Sequence, residues 1–239
     1  MRKWRAVVFD LDDTLYPERD FVLGGFDAVA RWAEAHLGIQ RDKGYADLCV
    51  LHKSGVRGDT FNRWLEAYNI VAEPLMAQLV QAYREHSPRL KLFPEALGLL
   101  SRLGRGHRLG LVSDGYLDVQ QRKLDALGIR HLFDAVVFSD EWGRQAWKPS
   151  VKPFLTVLQR LDVVATSTVY VADNPLRDFL GARQVGILAV QVLRRGGEYA
   201  HESAPTLQHA ANLVVNDLSE LERLLDSAPD GTSCRGALR

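Results

Sequence analysis

The sequence predicts an α/β protein: a doubly wound parallel sheet interrupted by a long, all-helical insertion. Three observations lead there. Ala6-Val7-Val8-Phe9 is a continuous apolar run, as a strand buried on both faces requires. After residue 90, short apolar runs alternate with helix-period segments over short links, the pattern of repeated strand–helix units. Between the two, residues 16–89 keep a helical period and contain nothing that reads as a buried strand, and they are far too long for an ordinary strand–helix connection.

The elements follow in order. Tyr16 to Arg19 turn the chain away from the first strand. Phe21, Phe26, Val29, Trp32, Ala33 and Leu37 recur at helical spacing and stop at Gly38. Further helices are expected over Tyr45 to His52, over Thr60 to Tyr68 with Asp59 as N-cap, and from Pro74 to His86. Pro94 opens a helix reaching Leu103. Strands then read at Arg108 to Val112, Ala135 to Phe138, Thr168 to Ala172, Ile187 to Leu193 and Leu213 to Val215. Helices separate them at Leu117 to Leu127, closed by Gly128, at Pro153 to Leu161 and at Pro175 to Val185. A last helix covers Leu218 to Leu225. The expected organisation is a core of residues 1–15 and 90–226, an insertion of residues 16–89, and a polar tail, 227–239, without order.

Composition sets the broad class. Of 239 residues, 46% are hydrophobic and 25% charged, ordinary values for a soluble domain with a sizeable core. Lys plus Arg and Asp plus Glu are 30 each, so bulk electrostatics gives no reason to expect a nucleic-acid or membrane-surface partner. Cys49 and Cys234 have no metal-ligand spacing, and the basic start is followed by too short an apolar run for a signal peptide. A reducing cytoplasm is the expected location.

The first strand stops at three carboxylates, Asp10, Asp12 and Asp13. In parallel sheets ligands gather beyond the carboxyl ends of the strands, and acids crowded there repel one another and lose solvation. A divalent cation would relieve both. Other strand ends supply matching groups. Ser113-Asp114-Gly115 offers turn amides for an anion, Lys148 precedes Pro149 ahead of a helix, and Asp173 ends another strand with Asp178 a turn later. Asp10 and Asp173 together give a hard cation several oxygen ligands.

Phe9-Asp10-Leu11-Asp12-Asp13-Thr14-Leu15 resembles the Asp-x-Asp-x-Thr signature of the haloacid dehalogenase-like (HAD) superfamily. Ser113 resembles its second motif, Lys148-Pro149 its third, and Asp173 with Asp178 its fourth, all in the family's order from Val7 to Leu193. Ala172 departs from the pattern, since relatives often carry Gly there. The resemblance implies a Rossmann-like core with a type I helical cap as the insertion. It also implies a phosphatase mechanism using Mg²⁺. Asp10 is then the nucleophile, Asp12 the acid and later the base, and Ser113 and Lys148 the cradle for the phosphoryl group, with the Asp114-Gly115 turn beside them. The implied metal ligands are Asp10, the Asp12 carbonyl and Asp173, with Asp178 ordering metal-bound water or positioning Lys148.

Taken singly, each residue has a plainer reading: a turn aspartate, a surface lysine, a first-turn helix acid. The ordered set is what overrides these readings. Asp13 keeps the plain one, as a solvated neighbour or a helix-cap-like group, and Thr14 is expected to bond local backbone. A small phosphorylated metabolite is the expected partner. Sugar-phosphate mutase and metal-independent haloacid dehalogenase are the alternatives, and the acid at Asp12 weighs against the second. A phospholigand-binding protein without turnover would lack the nucleophile or the acid. Lys53 and Arg57, in the glycine-bearing stretch Lys53-Ser54-Gly55-Val56-Arg57-Gly58, are candidates for substrate choice.

Overall fold

The sheet is built around β1 (Ala6–Phe9). It pairs in parallel on one side with β2 (Arg108–Ser113), which pairs with β3 (Ala135–Phe138). On the other side lie β4 (Thr168–Ala172), β5 (Leu188–Val192) and β6 (Leu213–Val215), giving the order β3-β2-β1-β4-β5-β6. The computed structural model describes residues 4–227, and within them this is the six-stranded parallel sheet that the apolar runs predict. After β1 the chain builds outward through β2 and β3, then returns to add β4 on the opposite side. β1 therefore marks the switch point, and the crevice beyond its carboxyl end is where such sheets bind ligands. Phe9 is in register with Leu111 and with Val171, which brings the ends of β1, β2 and β4 side by side.

Residues up to Pro17 and from Leu92 onward form one compact unit, and Glu18–Lys91 form another. The second unit holds α1 (Glu18–Leu37), α2 (Arg41–Lys53), α3 (Thr60–Glu66) and α4 (Met76–Glu85). They close around Phe26, Val29, Ala33, Leu48, Trp64, Leu65 and Leu79, a core independent of the sheet. In the first unit the sheet is flanked by α5 (Ala96–Leu103), α6 (Leu117–Leu127), α7 (Lys152–Leu161), α8 (Asp178–Gln184) and α9 (Leu221–Ser227). Phe154, Val157 and Leu161 of α7 and Phe179 and Ala182 of α8 bury against Val8, Val112, Tyr170 and Ala189. No helix among the described residues is long and apolar enough to cross a membrane.

Three local expectations change. Asp59 makes no side-chain cap to α3; its carboxylate instead takes Asn62 Nδ2 and Arg63 Nε, side chains that outcompete the backbone donors. The helix expected from Pro175 begins only at Asp178. Asn174 Oδ1 accepts the Leu176 N–H and Asp178 Oδ2 accepts the Asn174 N–H, which holds the intervening residues in a turn. The stretch from Leu218 starts as a 3₁₀ turn before α9. Ser227 ends α9, and the rest of the expected tail lies outside the described residues.

Candidate active site

Asp10 leaves β1 with its N–H on the Val171 carbonyl at 2.9 Å, so the sheet itself sets the nucleophile candidate in place. The chain then reverses tightly. Leu15 N–H reaches back to the Leu11 carbonyl at 3.0 Å, and Asp13 takes a left-handed φ of 50°. That turn buries Asp13, contrary to the solvated position expected for it, and its charge adds to those acting on Asp173. Thr14 Oγ1 likewise departs from expectation, having no hydrogen-bond partner among the described residues.

Lys148 is the cation at the centre. It is buried, and its Nζ lies 2.5 Å from Asp10 Oδ1, 2.7 Å from Asp178 Oδ1 and 3.1 Å from the Tyr170 hydroxyl. Burial pushes its pKa down, but the fields of Asp10 and Asp178 outweigh it and hold the ammonium well above its ordinary value. Asp178 thus sits directly on Lys148.

Carboxylate oxygens of Asp10, Asp173 and Asp178 all lie within 4.8 Å of one another. Burial pushes Asp10 up to about 7, Lys148 pulling against it and Asp178 and Asp12 adding to the rise. Burial, then Asp178 and Asp10, push Asp173 well above the carboxylate range. Such a cluster of hard oxygen donors, short of positive charge, fits a divalent cation of the magnesium or calcium type.

The two turn residues beside Ser113 serve different ends. Asp114 is expected to offer an anion its backbone amide, and its carboxylate is engaged elsewhere, accepting from Ser139 Oγ at 2.6 Å and from the Lys148 N–H. Only its backbone is left for an anion. Gly115 has φ 124° and sits against the Gln120 side chain, where a Cβ would come within 3.0 Å of Nε2. Conformation and space both require glycine there.

Asp12 has partners the sequence reading did not anticipate. Its Oδ1 accepts Lys123 Nζ at 2.7 Å and the Tyr16 hydroxyl, and its Oδ2 accepts Gln120 Nε2 at 2.8 Å. Burial pushes this carboxyl up, but Lys123 and the three hydrogen bonds hold it below its ordinary pKa. Gln120 and Lys123 occupy the buried face of α6 between Val119 and Leu124. Two polar residues in an apolar stripe were the available signal. Lys53 and Arg57 belong to the helical unit. Lys53 ends α2 exposed, while Arg57 Nη1 donates to the carbonyls of His52, in the last turn of α2, and of Val56.

Residues 7–192 match the family model described as haloacid dehalogenase-like hydrolase. The chain is 34% identical over 200 residues to a glyceraldehyde 3-phosphate phosphatase of Methanopyrus kandleri, covering 80% of this chain and 84% of that protein. A protein of the same name from Methanocaldococcus jannaschii is 29% identical over 224 residues, covering 89% and 97%. Among solved structures, a HAD phosphatase from Thermococcus onnurineus superposes with a TM-score of 0.62 at 27% identity, covering 92% and 97%. With four motifs meeting at one sheet edge and a family match across most of its length, this chain belongs to the haloacid dehalogenase-like hydrolases.

Proposed function

We propose that the protein is a phosphatase that hydrolyses a small phosphomonoester metabolite through an aspartyl-phosphate on Asp10. The observation that carries the reading is the buried Asp10–Lys148–Asp178 arrangement with Asp173 beside it, and the phosphatase names of the relatives agree with it.

Asp10, Asp173 and Asp178 would hold a divalent cation, taken as Mg²⁺, with the Asp12 carbonyl as a further ligand. When bound, that cation supplies positive charge between an anionic nucleophile and an anionic phosphoryl group. Lys148 favours the ionised form of Asp10 against burial and orients its carboxylate. Asp12, ionised at rest, first takes the proton of a monoanionic phosphoryl group; a carboxylate oxygen of Asp10 then bonds to phosphorus as the bond to the leaving oxygen breaks, and Asp12 passes that proton to the leaving oxygen. Water then attacks the phosphorus. Asp12 takes the water's proton, and the Asp10 carboxylate and phosphate separate. Ser113 Oγ, Lys148 Nζ and the Asp114-Gly115 amides would be the donors to the phosphoryl oxygens.

Glyceraldehyde 3-phosphate, the substrate in the relatives' names, is the first compound to assay with Mg²⁺. Phosphate release abolished by Asp10→Asn is the expected result. No release from a panel of phosphomonoesters by the folded protein would overturn the reading, and interconversion of hexose phosphates would redirect it to a mutase. Lys53 and Arg57 remain the proposed specificity residues. Unchanged kcat/KM for the best substrate in Arg57→Ala removes Arg57 from that role.

A further inference from the structure

We propose that Lys123 and Gln120 of α6 are positioning residues that hold both oxygens of Asp12 and aim its carboxyl group at the leaving oxygen. The inference rests on the phosphatase reading above and adds to it the part that directs the proton.

The geometry is specific. Lys123 and Gln120 are one helical turn apart on the same face, and they are 4% and 1% exposed. One pins Asp12 Oδ1 at 2.7 Å and the other pins Oδ2 at 2.8 Å. The same Gln120 Nε2 lies 3.0 Å from Ser113 Oγ, so one side chain ties the proton-transfer group to the phosphate cradle. The Tyr16 hydroxyl, on Oδ1, is a third donor to the carboxylate.

Packing does not demand these residues. Their flanking positions, Val119 and Leu124, are apolar and buried, and a leucine or methionine at either site would complete the stripe. Charge balance accounts for a cation beside buried Asp12, since removing one partner of a buried pair leaves an uncompensated charge, but it does not account for a second, uncharged donor on the other oxygen. Aiming does. A carboxylate with one partner rotates about its Cβ–Cγ bond, whereas two donors on a rigid helix fix its plane.

In the first half-reaction the Asp12 proton passes to the bridging oxygen, which keeps the electron pair of the breaking P–O bond. Misaiming matters most when that oxygen becomes a strongly basic alkoxide. It matters little for p-nitrophenolate, which leaves without a proton. The test is therefore kcat/KM of Lys123→Met and Gln120→Met on p-nitrophenyl phosphate and on glyceraldehyde 3-phosphate. General acid catalysis typically contributes about 10²–10⁴-fold. A loss of at least about 100-fold on the alkyl phosphate and less than about tenfold on the aryl phosphate is expected for Lys123→Met. Gln120→Met keeps the ion pair and is expected to show the same selectivity to a smaller degree. It serves as the test if Lys123→Met does not fold. Equal losses on both substrates, or none, overturn the positioning role while leaving the phosphatase reading intact. A folded wild-type protein that releases phosphate from no member of the phosphomonoester panel overturns the two together.

Discussion

Asp114 receives the backbone N–H of Lys148 through both carboxylate oxygens, at 3.2 and 3.0 Å. The residue after Ser113 thus fixes the loop that carries Lys148. Ser139 Oγ donates to the same carboxylate, so three segments meet on one side chain. Asp114→Ala leaves the buried Lys148 N–H without an acceptor and Ser139 Oγ with only the Ser113 carbonyl at 3.4 Å, at a cost of about 1–3 kcal/mol. In a domain of this size that corresponds to a Tm lower by several degrees, roughly 2–4 °C per kcal/mol. Activity is expected to fall through kcat, because Lys148 loses its anchor, and Asp114→Asn is expected to be milder. Melting curves and steady-state kinetics check this. A rise in KM with an unchanged Tm would instead return Asp114 to direct phosphate binding.

Gly181 in α8 supports the same loop from the other side. A Cβ there would come 2.4 Å from the Pro149 carbonyl oxygen and 2.9 Å from that of Ser150. Both are backbone atoms and cannot swing away. Gly181→Ala must displace the segment just after Lys148, and overpacking of this kind costs about 1–3 kcal/mol. A lower Tm together with a lower kcat is expected, although the residue touches none of the reacting groups. Wild-type values for both would show that the loop yields without consequence.

How far the site could be read in the sequence follows from how far apart its partners lie. Val7 to Phe9, Val169 to Ala172 and Leu109 to Val112 are continuous apolar runs ending in polar residues, so their strands and strand-end groups were legible from local pattern alone. The bounds of Leu117 to Leu127 could also be read, because Gly128 closes the helix in a left-handed C-cap. What local pattern does not encode is which distant residue answers a charge. Lys123 and Gln120 pair with Asp12 across 111 and 108 residues. The Asp114 carboxylate is taken up by the backbone N–H of Lys148, 34 residues on. Asp13 is buried rather than solvated because its φ of 50° reverses the chain, a feature no residue type in that stretch announces. The delayed start of α8 has the same origin: Asn174 and Asp178 bond across the turn instead of extending the helix.

The carboxylate trio makes a pH-dependent prediction whose sign can be worked out. Burial pushes Asp10 in the folded protein up to about 7 from 3.8, and Asp173 rises well above 3.8 for the same reason. A group with a raised folded pKa contributes stability that is complete below its unfolded value and is lost as pH rises through the folded one. Without a divalent cation, this contribution to stability therefore declines from about pH 4 to about pH 7, and Asp173 extends the decline. A cation that binds the ionised trio competes with those protons, so its stabilising effect grows over the same range. The difference in Tm between a fixed excess of Mg²⁺ and a chelator, measured from pH 5.5 to 8.5, is expected to increase with pH and to vanish in Asp173→Asn. A difference that is flat with pH, or that survives Asp173→Asn, would place the cation away from Asp10, Asp173 and Asp178.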